Sequence, residues 1–202
     1  MGVNRLCMID SLMSGDSGRP FATPSQTVGP FFHFGLATNP ELGRMVNPGT
    51  PGTHIRLRIR VTDGDGQPVP DALIELWQAD AGGRYATRGD GPPAPDTFTG
   101  FGRLPTDADG VCCFETILPG RVADAQGRTQ APHINVCFFS RGLLRQIYTR
   151  IYFEGDEDLD RDAILALVPP SRRPRLLARR VGDEWHFDIR LQGADETVFF
   201  DL

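Results

Sequence analysis

Residues 54–62 read His54-Ile55-Arg56-Leu57-Arg58-Ile59-Arg60-Val61-Thr62. Apolar and charged side chains alternate along the whole stretch. Successive side chains of an extended strand point to opposite faces, so Ile55, Leu57, Ile59 and Val61 share one face and the three arginines the other. The turn signal Asp63-Gly64-Asp65-Gly66 ends it. Further strands are predicted over 72–78, 111–117, 133–140, 146–154 and 185–192, with 103–106 leading into the turn Asp107-Ala108-Asp109-Gly110. Residues 86–97 and 119–132 read as loops, 160–167 as a short helix stopped by Pro169 and Pro170, and 175–179 as helical. About seven strands with turns between them, and no strand–helix–strand rhythm, predict an all-β fold: a two-sheet β-sandwich with short helices near the C-terminus.

Bulk composition agrees. A chain of 202 residues is short enough for one core. Its 23 glycines and 17 prolines demand many turns. Residues 1–18 lack the apolar stretch of a secretory signal and read as a disordered extension. Residues 19–202 read as a single domain, with arm and connector over 19–52 and the sandwich over 53–202. A net charge of −5, with no basic stripe among aromatics, argues against nucleic acid. No apolar run approaches the ~20 residues of a membrane span. Cys7, Cys112, Cys113 and Cys137 match no zinc spacing and read as reduced thiols of a cytoplasmic protein. Arg172, Arg173, Arg175, Arg179 and Arg180 read as a solvated helix face.

Residues 19–36 carry Phe21, Phe31, Phe32 and Phe34 without a helical or strand period. Phenylalanines need burial, so this segment is expected to be an extended arm packed along another surface.

Three motifs follow in order: Glu75-Leu76-Trp77-Gln78-Ala79 with a glycine turn and Tyr85; Gly102-Arg103 through Thr116-Ile117-Leu118-Pro119-Gly120; and Ala131-Pro132-His133-Ile134-Asn135 with Tyr152-Phe153-Glu154-Gly155-Asp156. As an ordered set they resemble the non-haem ferric intradiol ring-cleavage dioxygenases. That family holds Fe(III) with two tyrosines and two histidines, hard phenolates suiting a hard ion. The resemblance assigns the first tyrosine to Tyr85 and the first histidine to His133. The second tyrosine position holds Val122 and the second histidine position Asn135. An arginine that precedes the histidine pair in active chains is replaced by Gln130. Two of four donors are therefore missing, and no metal is expected on this chain.

Within the family the chain resembles the iron-free member of a pair of homologous chains, with the Fe(III) cofactor bound by the beta-type partner. The segment Thr23 to Phe32, the stretch Phe139-Ser140-Arg141-Gly142 and the ending Glu196 to Asp201 carry this likeness. It implies that Thr27, Pro30, Phe31 and Arg141 line the wall of the partner's pocket, with no catalytic residue on this chain alone. The expected ligand is a small aromatic diol bearing a carboxylate, which a permanent guanidinium suits. An obligate partner, in a particle of several such pairs, is implied as well. Two other classes stay open: a self-sufficient dioxygenase acting on catechol or hydroxyquinol, and a non-enzymatic binding sandwich. Tyr148, Arg150 and Tyr152 share a strand face and read as core packing. His54 and His186 read as structural, His33 as an interface candidate, and Asp156-Glu157-Asp158 as a solvated loop.

Overall fold

The computed structural model describes residues 23–86, 98–124 and 126–201. Cys7, Phe21, the predicted extension over 1–18 and most of the predicted loop over 86–97 lie outside the described residues. Among the described residues ten strands follow one another: β1 (His54–Thr62), β2 (Leu73–Gln78), β3 (Phe101–Pro105), β4 (Val111–Ile117), β5 (Val122–Ala123), β6 (Thr129–Gln130), β7 (His133–Phe139), β8 (Ile147–Phe153), β9 (Leu177–Val181) and β10 (Glu184–Arg190). Eight of them hydrogen-bond in the order β3-β2-β7-β8-β9-β10-β1-β4. β9 pairs in parallel with β8 and antiparallel with β10, so it carries the ladder from one layer of the sandwich to the other.

The alternation in β1 is realised. Ile55, Leu57, Ile59 and Val61 are buried and face Ile74 and Leu76 of β2, Phe114 of β4, and Ile134, Val136 and Phe138 of β7 across one core. The even-numbered residues of β7 are thereby committed to the interior. His133, Asn135 and Cys137 must then point to the opposite face. A second, smaller cluster covers part of that face, built from Ala131, Tyr152, Leu165, Val168, Leu176 and Val198.

Four predicted elements differ. The arm is not extended throughout: Pro30–Leu36 forms a helix, α1. Proline in the first turn presets the backbone dihedral, and the following residues contain no β-branched side chain to oppose it. The stretch over 175–179 is not helical. A 3₁₀ turn over Arg173–Leu176 gives way to β9, because pairing on both edges outweighs the helix preference of Leu, Ala and Arg. The helix predicted over 160–167 is two 3₁₀ turns, Leu159–Arg161 and Leu165–Leu167. Asp162 sits between them and accepts from the backbone N–H groups of Ile164 and Leu165, which caps the second and interrupts the first. The long loop contains the hairpin β5–β6, closed by Asp124, whose Oδ1 accepts from the N–H groups of Gln126 and Arg128.

The arginine cluster is correspondingly not a helix face. Arg175 and Arg172 reach Asp195 and Glu196 of the C-terminal tail. Cys112 is buried and Cys113 exposed, as adjacent positions on a strand require, and Cys112, Cys113 and Cys137 are free thiols. No helix among the described residues is long and apolar enough to cross a membrane.

One buried polar side chain joins the layers. Gln78, at the end of β2, donates from Nε2 to the Ile117 carbonyl at 3.0 Å and accepts at Oε1 from the Thr116 hydroxyl at 2.7 Å. Truncation leaves both β4 groups unpartnered in a dry interior. Gln78→Ala is expected to lower unfolding free energy by about 2–4 kcal/mol, read by urea denaturation, with the denaturant slope unchanged.

Candidate functional site

Tyr85 reaches the outer face of β7 through a turn built by Asp80. The Asp80 carboxylate accepts from the N–H groups of Gly82 and Arg84, and its carbonyl accepts from Gly83 and Gly120. Gly83 has φ +77°, and a Cβ there would lie 1.8 Å from the Arg121 carbonyl oxygen. Only glycine lets the two backbone segments touch in this way. The same contact holds the segment Pro119–Val122 beside Tyr85. The far side of that segment is anchored by Arg121, which pairs with Glu157 at 2.5 Å and with Asp158. The Asp156-Glu157-Asp158 run is therefore a clamp with a buried Asp158 rather than a solvated loop.

The structure brings Tyr85, His133 and Asn135 into one hydrogen-bonded chain. His133 is 2% exposed. Its Nδ1 lies 2.8 Å from the Ala131 carbonyl, which only accepts, so Nδ1 carries the proton and Nε2 the lone pair. The Tyr85 hydroxyl lies 3.3 Å from that Nε2 and donates to it. The Asn135 Nδ2 amide in turn donates to the Tyr85 oxygen at 2.9 Å. Val122, on β5, pairs with Gln130 of β6 and offers no donor atom.

Arg150, read from the sequence as core packing, is instead a half-buried member of this cluster. It lies opposite Asn135 in the β7–β8 register, while Tyr152 lies opposite His133. Its Nη1 donates to Gln130 Oε1 at 2.8 Å. Tyr152 itself is core packing as expected, buried with its hydroxyl 3.1 Å from Asp162. Arg150 and Tyr148 instead line a cavity of about 510 Å³ with Trp77, Asn135, Leu167 and Phe200. The period-two pattern put all three on one face; it could not say which residues of β7 they would meet.

Charge in this cluster follows from burial. Burial pushes the Tyr85 phenol above its usual range, with the Asn135 hydrogen bond and the Arg150 charge opposing only in part. Burial, reinforced by repulsion from Arg150, pushes His133 down to about 4. Near neutral pH the pair is an uncharged phenol and an uncharged imidazole. An imidazole with Nδ1–H on a carbonyl and Nε2 facing outward has the posture of a metal ligand. The full set does not fit ferric iron. Its remaining corners are an aliphatic side chain and a carboxamide, and a guanidinium stands beside them.

The predicted pocket-wall residues gather at the other end of β7. Thr27 Oγ1 accepts from the Gly142 N–H at 2.7 Å, which fastens the arm to the turn after β7 and leaves the hydroxyl proton to donate elsewhere. Phe32 of α1 packs on Phe139 at 5.3 Å between ring centroids, and His33 Nδ1 meets Asp71 Oδ1 at 2.6 Å. Arg141 shares a cleft with Val28, Gly29, Phe32, His33 and Phe34. Among the described residues it has no acidic partner within ion-pair distance. Pro30 opens α1. Phe31 and Phe34 are not buried in this chain, being 85% and 67% exposed. His133 and Phe139 are six residue steps apart, or about 20 Å along the strand, so the arm cannot serve the Tyr85 cluster.

His54 and His186 are structural, as expected: His54 Nε2 lies 2.8 Å from the Thr50 carbonyl and His186 lies 3.4 Å from Glu184.

Comparison with known proteins agrees with the motif order. A sequence model of a dioxygenase family matches residues 27–193. The chain is 41% identical to the protocatechuate 3,4-dioxygenase alpha chain of Pseudomonas putida, over 89% of this chain and 96% of the relative. It is 37% identical to the beta chain of that enzyme from Burkholderia cepacia, over 75% and 70%. Among solved structures, the dioxygenase domain of a dioxygenase–carbohydrate-binding fusion from Streptomyces sp. SirexAA-E superposes with a TM-score of 0.59 at 27% identity, covering 85% of this chain and 100% of that one.

The depressed His133 gives a signed prediction. A histidine that is less basic folded than unfolded binds fewer protons in the native state, so stability falls as pH drops from about 6.5 to about 4 and levels off below. The full shift corresponds to on the order of 3 kcal/mol. Urea titrations across this window are expected to show that loss in the wild type and a shallower slope in His133→Gln.

Proposed function

The chain belongs to the intradiol ring-cleavage dioxygenase family, and from that premise we propose that it is the alpha chain of a protocatechuate 3,4-dioxygenase. It helps shape the site at which 3,4-dihydroxybenzoate is opened by dioxygen to 3-carboxy-cis,cis-muconate in the β-ketoadipate pathway, in the cytoplasm. Fe(III) is held by a homologous beta partner and supplies the chemistry that makes a chelated catecholate reactive toward oxygen. Residues 19–202 act as one domain, and several alpha–beta pairs build a symmetric particle.

The observation that carries this is the closed hydrogen-bond chain from Asn135 through Tyr85 to His133. The two donors that the family pattern retains satisfy each other, so the chain is not read as the iron-bearing half. The opposite end of β7 supports the complementary role. Among the described residues Arg141 presents a guanidinium fork without an acidic partner, which suits a ring carboxylate. Thr27 can donate its remaining hydroxyl proton, and Pro30 at the start of α1 aims the exposed Phe31 ring outward as a packing wall. An exposed pair of phenylalanines on an ordered helix is a surface that calls for a partner.

Expression alone and beside a beta partner tests the division of labour. The isolated chain is expected to be colourless after iron addition. The co-expressed complex should show tyrosinate-to-iron charge-transfer absorption and cleave protocatechuate. Colour and ring cleavage by the isolated chain would favour a self-sufficient enzyme; an inert mixture would favour a binding sandwich. In the complex, Arg141→Ala is expected to raise KM for protocatechuate about 10- to 100-fold, the loss of one charge-assisted contact, with iron content intact. A fall in iron content would make Arg141 structural instead.

A further inference from the structure

The disused centre is not simply a site with two donors removed. We propose that Arg150 is its resident cation: the guanidinium takes over the positive charge that a metal would supply, and it bars metal from returning even if the missing donors are restored. The inference rests on the division of labour proposed above.

Three observations lead to it. First, Arg150 projects from the residue opposite Asn135, beside the residue opposite His133, so its stem starts within the cluster. Second, its hydrogen-bond partner is a neutral acceptor of the same cluster: Gln130 Oε1 receives Nη1 at 2.8 Å. Gln130 is itself held opposite Val122 on the β5–β6 hairpin, so the guanidinium is tied to the segment that lost the second tyrosine. Third, no carboxylate lies within ion-pair distance of Arg150 among the described residues; the nearest buried acid of the cluster, Asp162, is occupied by Tyr152 and the N–H groups of Ala131, Ile164 and Leu165. The positive charge therefore acts outward on Tyr85 and His133, the two retained donors.

The energetic consequence is direct. A trivalent ion placed between these donors would sit beside a fixed monovalent cation in a half-buried setting. Charges of like sign a few ångströms apart repel by several kcal/mol even at an intermediate dielectric. A guanidinium cannot relieve this by losing its proton. It also favours the present arrangement, because two hydrogen-bonded neutral donors tolerate a neighbouring cation.

The experiment restores the donors with and without the charge. Val122→Tyr/Asn135→His, the same pair with Arg150→Gln, and the same pair with Arg150→Lys are prepared as full chains and as complexes with the iron-bearing partner. Iron is counted by mass spectrometry and by visible charge-transfer absorption, and Arg150→Gln alone serves as the folding control by circular dichroism. The double variant and the Arg150→Lys triple are expected to take up no iron on this chain. The Arg150→Gln triple is expected to gain it, raising the complex from one towards two irons per pair. Iron in the double variant, iron in the lysine triple equal to that in the glutamine triple, or none in a folded glutamine triple would each overturn the proposal. A wild-type chain that never joins an iron-bearing partner would instead overturn the proposed function. The iron count on the full chains alone would then still decide the role of Arg150.

Discussion

The period of two along β7 is the constraint on which both ends of this molecule depend. Ile134, Val136 and Phe138 are fully or almost fully buried in the main core. With the even positions fixed by packing, His133 and Asn135 have only the outer face available. A slip of one residue would place an imidazole and a carboxamide among Leu57, Phe114 and Phe187, at a cost no neighbouring group could offset. The core thus decides which residues can form a site, and β8 follows because its register places Arg150 and Tyr152 opposite Asn135 and His133.

The length of the same strand separates two kinds of chemistry. At its start, glycines 83 and 120 let two backbone segments cross, bringing Tyr85 and Val122 against the outer face. What collects there is a set of mutually satisfied polar groups. At its end, the turn over Ser140–Gly142 receives the arm through Thr27 and Phe32. What collects there is, among the described residues, unsatisfied: Arg141 without an acid, and Phe31 and Phe34 exposed. Exposed apolar and cationic groups concentrated at one end carry a cost in solubility when nothing covers them.

Much of this was legible in the chain itself. The alternation in residues 54–62 predicted the faces of β1, and the adjacent Cys112 and Cys113 separate as strand geometry requires. Tyr85, His133, Asn135 and Val122 were picked out by motif order, and the first three do meet. The failures are local preferences overruled by tertiary pairing. Leu177–Val181 carries helix-forming residues, yet two neighbouring strands claim its backbone. Pro30 gave a usable helix-start signal, but the phenylalanines after it looked like an extended arm. Arg150 was out of reach for a different reason. Its strand face was readable, but the partner opposite it depends on a register set by the intervening turn over 140–146.

Gln130 and Arg150 show how the charge state of the Tyr85 cluster is set. A phenol and an imidazole that face one another in a half-buried cluster must satisfy each other's hydrogen-bonding capacity. Tyr85 and His133 resolve this by sharing a proton donor and a lone pair, which needs the phenol protonated and the imidazole neutral. Burial favours both states, because each avoids a charge in a poorly solvated place. Arg150 adds a fixed cation that deepens the preference at His133 and weakens it slightly at Tyr85. The opposed signs matter: a guanidinium close enough to deprotonate the phenol would create a ligand, whereas one held by Gln130 leaves the phenol protonated. The hydrogen bond from Arg150 to Gln130 is therefore a tether that holds the charge beside the cluster while the phenol keeps its proton.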